Sequence, residues 1–373
     1  MKIIGFLINH KFVLLITIII HVYSDLTRDK IWGVRADIDF SYREGCIIET
    51  WGKKYPSCVN VPYTRTQLAA KSNGNLSSVE SPSLSVQSPI NIRTSETIKA
   101  YFKDYSLHFR NYELESPVTG TWRIEKTRYG FLLKVNGILP FIEVLLGDGK
   151  AVAYEFVQAH FHWGVGGGST VGSEHSIDCQ FYQLEGHLLH RSLIGKQEKL
   201  AVVAVFYELI DEKEGGAKES APEPKNLRAI VDAIKSSENE LKSEIPINTS
   251  FSLNFLLPES VWQTKGNTPF YKYLGSLTAP PCSETVTWLI IKEPAKISLG
   301  QLSALENLKL CNEKDHTCFP DKYVGSNRRP TQPTNKRPIY FVSANGRAAV
   351  ITNLYDWQIL SMASLFGIII GAI

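Results

Sequence analysis

Two short segments carry most of the chemical information in this sequence: residues 158–163 read QAHFHW and residues 185–190 read EGHLLH. Alternate side chains of a β-strand project from the same face. As strands, the segments therefore place His160 and His162 on one face of the first and His187 on one face of the second. If the strands are neighbours, the three imidazoles meet around one point. Three histidines that leave one coordination position for water are the ligand set of a catalytic zinc.

Two polar residues beside the histidines make the zinc interpretation more specific. A metal-bound histidine usually donates its second ring N–H to an oxygen acceptor. Gln158 and Glu185 each lie two residues before a candidate ligand and on the ligand's own face. A His-x-His pair by itself is more often a pair of ordinary polar residues, whereas three histidines with two placed acceptors form a much more specific pattern. His190 lies on the face opposite His187, which favours a structural role for it.

From Gln87 onward the chain has the pattern of many short strands. Val, Ile, Phe and Tyr fill these strands, and Gly, Pro or Asn separate them. The clearest predicted strands are residues 130–135, 154–163, 179–190, 200–209 and 285–292. Apolar residues at helical spacing predict helices at residues 225–236 and 298–308. The sequence therefore predicts one mostly-β domain with a few surface helices, an α+β fold class.

The composition is that of a globular protein with a sizeable core. The chain has 373 residues, of which 43% are hydrophobic and 21% charged, and such values are ordinary for soluble domains. The 40 basic and 37 acidic residues give a formal net charge of +3. So small an excess, without a block of like charge, gives no reason to expect a nucleic-acid partner.

Residues 1–24 have the pattern of a secretory signal peptide. Lys2 and Lys11 supply positive charge, residues 12–20 are apolar, and Val22 and Ser24 fit a cleavage after residue 24. The apolar run is short for a membrane span. A buried N-terminal helix is the alternative interpretation.

Residues 343–373 have the pattern of a signal for a glycolipid (GPI) anchor, which is removed on maturation. Small residues at 343–346, a polar spacer and an apolar tail at 359–373 are its three parts. The alternative is a short transmembrane helix that begins near Leu354. With both end signals, we expect a mature domain at residues 25–342 on the extracellular face of the plasma membrane, held there by a GPI anchor.

Other features agree with a secreted protein. Six cysteines suit disulfides in an oxidising compartment, and their spacing alone leaves all fifteen pairings open. Asn75 and Asn248 lie in Asn-x-Ser/Thr glycosylation tripeptides. The stretch at residues 59–85 is rich in Ser, Asn and Pro, which predicts an exposed loop.

Several segments, in order, resemble the alpha carbonic anhydrases. They are QSPINI from Gln87, AHFHWG from Ala159, GSEHSID from Gly172, LEGHLLH from Leu184, LLPES from Leu256, LGSLTAPPCSETVTWLIIKEP from Leu274 and NRRPTQP from Asn327. The likeness runs from about residue 40 to residue 342. It implies a single domain around a large, mainly antiparallel, twisted central β-sheet, in which residues 59–85 are an inserted loop.

The resemblance also implies a zinc site and a hydrogen-bonded gate. His160, His162 and His187 match the ligands of Zn²⁺. Gln158 and Glu185 match the acceptors of the first and third ligands, and the backbone carbonyl of Asn327 matches the acceptor of the second. Thr278 and Glu174 match a gate in which the threonine accepts from the zinc hydroxide and donates to the glutamate. The surrounding polar residues are Tyr42, His175 and Tyr273.

An apolar wall beside the nucleophile is the third implied part of the site. Carbon dioxide is apolar and needs such a wall rather than a charged clamp. The matching residues are Leu189, Val202, Leu277, Val286 and Trp288. Without the resemblance, most of these residues would be interpreted as ordinary core.

The sequence also departs from the family pattern at three positions. Phe131 aligns with a histidine that exports protons in fast family members, so we expect proton transfer to limit turnover at low buffer concentration. Ala279 stands where the family often has a threonine or histidine, which should weaken polar contacts to bicarbonate. Phe40 replaces a tryptophan, which is a packing change.

The disulfides are expected partly from the resemblance. Cys58 and Cys282 match the disulfide of secreted relatives. Cys311 and Cys318 flank a short polar loop and can pair locally. Cys46 and Cys179 would then be left as a third pair.

The function implied by the resemblance is the reversible hydration of carbon dioxide to bicarbonate and a proton by a zinc-bound hydroxide, with weak ester hydrolysis as a side activity. The alternative is a non-catalytic binding module with the same fold. A serine hydrolase is disfavoured because the sequence lacks a G-x-S-x-G elbow. The partners expected are therefore a small-molecule substrate and, through the anchor, a membrane.

Overall fold

The computed structural model describes residues 85–116, 120–147, 149–165, 172–192, 199–210, 224–237, 243–264, 267–312 and 317–344. Within them lie seventeen strands. These are β1 (Asn91–Ile92), β2 (Ile98–Tyr101), β3 (Tyr105–Arg110), β4 (Gly120–Lys126), β5 (Phe131–Gly137), β6 (Phe141–Leu146), β7 (Ala151–Trp163), β8 (Ser176–Ile177), β9 (Leu184–Ser192), β10 (Leu200–Leu209), β11 (Glu244–Pro246), β12 (Phe270–Gly275), β13 (Val286–Ile291), β14 (Ala295–Ile297), β15 (Lys309–Cys311), β16 (Cys318–Tyr323) and β17 (Tyr340–Ser343).

A 13-stranded sheet dominates the described residues. Its main path runs β11-β4-β5-β7-β9-β10-β13-β12-β17-β2, with β6 pairing both β7 and β3, and β14 pairing β10. Most neighbouring pairs are antiparallel, and the parallel ones are β10–β13, β10–β14 and β17–β2. The predicted class, mostly β around a large, mainly antiparallel sheet, is confirmed.

Short helices cover the sheet. They are α1 (Arg228–Ser236), α2 (Glu259–Gln263), α3 (Leu299–Glu306) and 3-10 turns at Thr94–Glu96 and Leu253–Leu256. In α1, the buried residues Ile230, Val231 and Ile234 lie on one face because they recur at helical spacing. A reciprocal pair of hydrogen bonds between Ser298 and Gln301, a capping box, fixes the start of α3. Among the described residues, no helix is long and apolar enough to span a bilayer.

The strand alternation divides the core into two apolar clusters on opposite faces of the sheet. Leu188 and Val203 belong to the larger cluster, whereas Leu189 and Val202, one residue away on the same strands, belong to the smaller one. Burying a single Leu or Val side chain stabilises a fold by about 1.5–3 kcal/mol. The smaller cluster lies on the same face as His187, because His187 and Leu189 are two residues apart on β9.

The predicted strand at residues 179–190 starts too early. The strand β9 begins at Leu184, because Asp178 and Cys179 have φ values of 48° and 64° and form a tight turn instead. The predicted strand at 200–209 matches β10 residue for residue. The predicted helix at 225–236 begins three residues later, at Arg228.

The cysteines are only partly as expected. Cys311 and Cys318 lie opposite each other in the β15–β16 hairpin and form the predicted disulfide. Cys282 is also disulfide-bonded, to a partner outside the described residues. The predicted pair of Cys46 with Cys179 is wrong, because Cys179 is an exposed free thiol whose Sγ accepts a hydrogen bond from Asn91.

Candidate metal centre

Three histidines from two neighbouring strands meet on one face of the sheet. His160 and His162 lie on β7, and His187 lies on β9, directly opposite His160 in the antiparallel register. One ring nitrogen of each lies within 4.8 Å of the corresponding nitrogen of the other two. His162 and His187 are buried, whereas His160 is partly exposed. The group is therefore open to solvent on the side of His160.

A β-bulge at Val157 directs these side chains. Phe156 pairs with His190 of β9, but the next pairing joins Gln158 to Leu189, so β7 has one extra residue at this point. Phe156 packs in the larger apolar cluster, whereas Val157 packs in the smaller one. The bulge therefore turns the even-numbered residues that follow towards the histidine face, and such bulges are frequent next to active sites.

Each imidazole is held through its second ring nitrogen. His160 Nδ1 lies 3.1 Å from Oε1 of Gln158, and His162 Nδ1 lies 2.8 Å from the carbonyl oxygen of Asn327. His187 uses its other ring nitrogen for this contact: its Nε2 lies 2.7 Å from Oε1 of Glu185. Because these oxygens accept the ring protons, the nitrogens left to point at the common centre are Nε2 of His160, Nε2 of His162 and Nδ1 of His187.

The inward nitrogens fit a bound cation. His160 Nε2 and His187 Nδ1 are 3.3 Å apart, and with their protons on the outer nitrogens both present lone pairs. Two ligands at zinc–nitrogen distances of 2.0–2.1 Å and a tetrahedral angle are about 3.3–3.4 Å apart. In addition, Nε2 of His162 is buried and has no hydrogen-bond partner in the described parts of the chain. The donor set and its spacing therefore fit zinc.

Electrostatics keep the ligands in the form that binds metal. Burial holds the pKa of His160 well below its ordinary value, and the facing imidazoles of His162 and His187 act in the same direction. Burial also lowers the pKa of His162, although the nearby carboxylate of Glu174 partly opposes it. Neutral imidazole is the form of histidine that coordinates a metal.

Glu185 connects the ligands to a second layer of polar residues. Besides His187, its Oε1 accepts from Nδ1 of His175 at 2.7 Å, and its Oε2 accepts from the backbone N–H groups of Glu174 and His175. Burial alone would raise the pKa of Glu185, but His175 and His187 hold it well below the usual range. His175 Nε2 in turn lies 2.6 Å from the hydroxyl of Tyr273.

Both gate residues, Thr278 and Glu174, are buried, but the expected hydrogen bond between them is not formed. Glu174 Oε1 accepts from the backbone N–H of Arg329 at 2.8 Å. Its Oε2 is buried, accepts no hydrogen bond from the described residues and lies 4.0 Å from Nδ1 of His187. The unpaired oxygen is an acceptor of the kind that the predicted gate requires.

An apolar wall stands next to His187. Leu189, Val202 and Trp288 follow one another across β9, β10 and β13 in register. The ring of Trp288 is 4.9 Å from that of His187. The structure thus brings together the predicted wall residues, which are Leu189, Val202, Val286 and Trp288 in the smaller cluster and Leu277 packed against it.

Phe131 does not lie on this face, so its predicted place in the cavity is wrong. The pairing of Leu133 with Ala159 puts Phe131 and Leu133 on the side of the sheet away from the histidines. Phe131 is buried in the larger cluster, where its ring stacks on Phe161 at 5.3 Å. By alternation, Leu132, Lys134 and Asn136 are the β5 residues on the histidine face.

Four predicted residues, Tyr42, Cys46, Cys58 and Asn75, lie outside the described residues. Asn248 is exposed, as a glycosylation site must be. Ala279 is buried one residue after Thr278.

Sequence reasoning missed two residues of this region, Arg329 and Ser88. Arg329 Nη1 donates to the carbonyl of Ser88, and the Ser88 hydroxyl lies 2.8 Å from that of Tyr273. The segment NRRPTQP is part of the family pattern, but no periodicity in the sequence identifies its long-range contacts.

Comparisons with known proteins agree with this geometry. A family model described as eukaryotic-type carbonic anhydrase matches residues 76–343. Carbonic anhydrase 4 of Mus musculus is 31% identical over 267 residues, which cover 70% of this chain and 76% of that protein. Carbonic anhydrase 1 of Oryctolagus cuniculus is 32% identical over 263 residues, covering 68% and 97%. A carbonic anhydrase-related protein of Homo sapiens is 30% identical over 268 residues, covering 68% and 82%.

Proposed function

Because this chain belongs to the eukaryotic-type carbonic anhydrase family, we propose that it catalyses the reversible hydration of carbon dioxide to bicarbonate and a proton, at a zinc centre held by His160, His162 and His187. One observation carries the proposal. Three inward ring nitrogens lie within 4.8 Å of one another, and each outer nitrogen faces an oxygen acceptor. A zinc ion held by these three nitrogens would keep a fourth coordination position for water or substrate.

A zinc ion bound there lowers the pKa of a bound water so that hydroxide is available near neutral pH, chemistry for which carbonic anhydrases are the best-known example. The chain supplies the rest. Leu189, Val202 and Trp288 provide an apolar surface that accepts carbon dioxide and excludes competing water. Weak ester hydrolysis is proposed as a side activity of the same centre.

Thr278 and Glu174 are proposed to orient the nucleophile. If the Thr278 hydroxyl donates to the unpaired Oε2 of Glu174, its own oxygen is left to accept the proton of the attacking hydroxyl. That hydroxyl then presents a lone pair to the substrate. Glu174 is held for this task by the backbone N–H of Arg329.

The alternative function is a non-catalytic binding module with the same fold. Such a module has no need for three converging imidazoles whose outer nitrogens are all held. The complete donor set therefore favours the enzyme.

The location is a further proposal. A signal peptide at residues 1–24, a mature domain at 25–342 with an inserted loop at 59–85, and a GPI-anchor signal at 343–373 would place the enzyme on the outer face of the plasma membrane. Glycans at Asn75 and Asn248 belong to the same proposal. The disulfides at Cys282 and at Cys311–Cys318 support an oxidising compartment.

The test measures zinc content and the rate of carbon dioxide hydration in the wild type, in His162→Ala and in His108→Ala. His108 lies on β3 and provides a matched control away from the centre. We expect zinc and activity in the wild type and the control, and loss of both in His162→Ala. Equal zinc and equal rates in all three proteins would contradict the proposal, and zinc without activity in the wild type would favour the binding module.

A further inference from the structure

The side-chain amide of Asn327 makes three hydrogen bonds to backbone groups, although the residue is almost completely buried. Its Oδ1 accepts from the backbone N–H of Trp163 at 2.8 Å. Its Nδ2 donates to the carbonyl oxygens of Phe161 at 2.9 Å and of Tyr129 at 2.8 Å. Both N–H donors of the amide are used, and they join β7 to the turn that precedes β5.

The same residue also contacts β7 through its backbone. The Asn327 N–H donates to the carbonyl of Trp163 at 3.2 Å. The Asn327 carbonyl accepts from Nδ1 of His162 at 2.8 Å. Asn327 is therefore bonded to the residue before His162, to the residue after it and to the imidazole itself.

The backbone at Gly130 packs closely against the amide of Asn327. A Cβ atom added at Gly130, the residue after Tyr129, would lie 3.1 Å from Nδ2 of Asn327 and 3.4 Å from the ring of Trp163. Two residues further along the chain, the N–H of Arg329 holds Glu174. One short segment, residues 327–329, thus reaches both a candidate metal ligand and the gate carboxylate.

We propose that the side-chain amide of Asn327 is a positioning residue for the metal centre: it fixes the carbonyl that sets the tautomer and ring plane of His162. The resemblance to carbonic anhydrases implied a role for the carbonyl alone. The amide acts through His162 and touches neither substrate nor metal. The inference rests on the proposed metal centre.

Asn327→Asp tests the amide with little change in volume. The substitution keeps an oxygen that can accept from Trp163, but it places a second oxygen against the carbonyls of Phe161 and Tyr129. The matched control is Asn226→Asp, because the Asn226 amide likewise donates to a backbone carbonyl, that of Leu257, at a distance from the centre. A second variant, Asn327→Ser, removes the amide without an opposing oxygen.

The measurements are the rate of zinc release from the full-length chain to an excess of chelator, and the visible spectrum of the cobalt-substituted protein. Loss of an outer partner of a ligand typically costs 10–100-fold in metal affinity. We expect both Asn327 variants to release zinc at least about tenfold faster, with altered cobalt bands. Asn226→Asp should remain within about twofold of the wild type.

Folded Asn327 variants with wild-type release rates and spectra would overturn the inference. Failure of both variants to fold would also overturn it, because Asn327 would then be needed for the fold as a whole. These outcomes differ from failure of the proposed function, in which the wild type itself holds zinc but hydrates no carbon dioxide, or holds no zinc.

Discussion

His187 Nε2 lies 2.7 Å from Oε1 of Glu185, so His187 turns Nδ1, rather than Nε2, towards the other two histidines. Glu185 thereby decides which nitrogen of His187 is available to a metal. Because the carboxylate is fully buried and its pKa is held low by His175 and His187 against the effect of burial, it remains a charged acceptor over the ordinary pH range.

Glu185→Gln should therefore weaken zinc binding by about 10–100-fold. The neutral amide is a poorer acceptor, and its NH₂ group faces donors from His175 and His187. Competition titration against a chelator of known affinity measures the change. The matched control is Glu208→Gln, which should bind zinc as the wild type does. Glu208 lies on β10 and forms an exposed ion pair with Lys296 of β14. Equal affinities for all three proteins would contradict the role given to Glu185.

Thr278→Val should reduce the rate of carbon dioxide hydration by about 100-fold while zinc content is kept, because one preorganised hydrogen bond typically contributes 10²–10³-fold to catalysis. Valine fills the same volume but cannot donate to Oε2 of Glu174. Thr278→Ser keeps the hydroxyl and should retain most of the rate. A Val variant as fast as the wild type would refute the gate.

Turnover should rise with the concentration of an imidazole buffer and then level off at constant ionic strength. Among the described residues, the histidines other than the three candidate ligands are His108, His175 and His190. His175 and His190 are buried and hydrogen-bonded, and His108 lies on β3, two strands from β7. We therefore expect external bases to carry the proton away from the centre. Stopped-flow rates that stay flat over the buffer titration would contradict this expectation. The expectation rests on the positions of these histidines and not on Phe131, which lies on the opposite face of the sheet.

The free energy of unfolding should fall as the pH drops below about 6.5, partly because of His190. Burial lowers the pKa of His190 to about 3 in the folded protein, whereas an unfolded histidine titrates near 6.5. Below pH 6.5, His190 binds a proton in the unfolded state but not in the folded state. The contribution of His190 to the free energy of unfolding is therefore complete above pH 6.5 and declines down to about pH 3. Between pH 6.5 and 5 the loss is about 2 kcal/mol.

Urea unfolding of His190→Gln beside the wild type checks this estimate. The hydroxyl of Tyr112 lies 2.6 Å from His190 Nε2, so the variant should be less stable at pH 7 because that contact changes. Its stability should nevertheless vary less between pH 7 and 5. The same pH dependence in both proteins would show that His190 does not titrate on unfolding.

The elements that follow a local pattern could be predicted from the sequence. The apolar run at 200–209 is a strand of the stated length, and the spacing of His160, His162 and Gln158 places them on one face. The bulge at Val157 could not be predicted, because it depends on how β7 packs against both clusters. The face of Phe131 was missed for a similar reason: a shift of one residue in register moves a side chain to the opposite side of the sheet.

Long-range contacts also escaped sequence reasoning. Asn327 reaches the carbonyl of Phe161 across 166 residues, and no local periodicity encodes such a bond. Cys179 was paired by elimination with Cys46, but its position in a left-handed turn leaves it exposed and unpaired with another cysteine.

Because of the extra residue at Val157, the two halves of β7 present their even-numbered side chains to opposite faces of the sheet. Before the bulge, the even-numbered residues Tyr154 and Phe156 pack in the larger cluster, whereas after it the even-numbered residues Gln158, His160 and His162 face the metal centre. For protein engineering, libraries aimed at new chemistry are best confined to the even-numbered positions after Val157, because Ala159, Phe161 and Trp163 belong to the larger cluster. A strand that kept Val157 but lost the bulge would alternate without interruption and move His160 and His162 to the face of the larger cluster, away from His187.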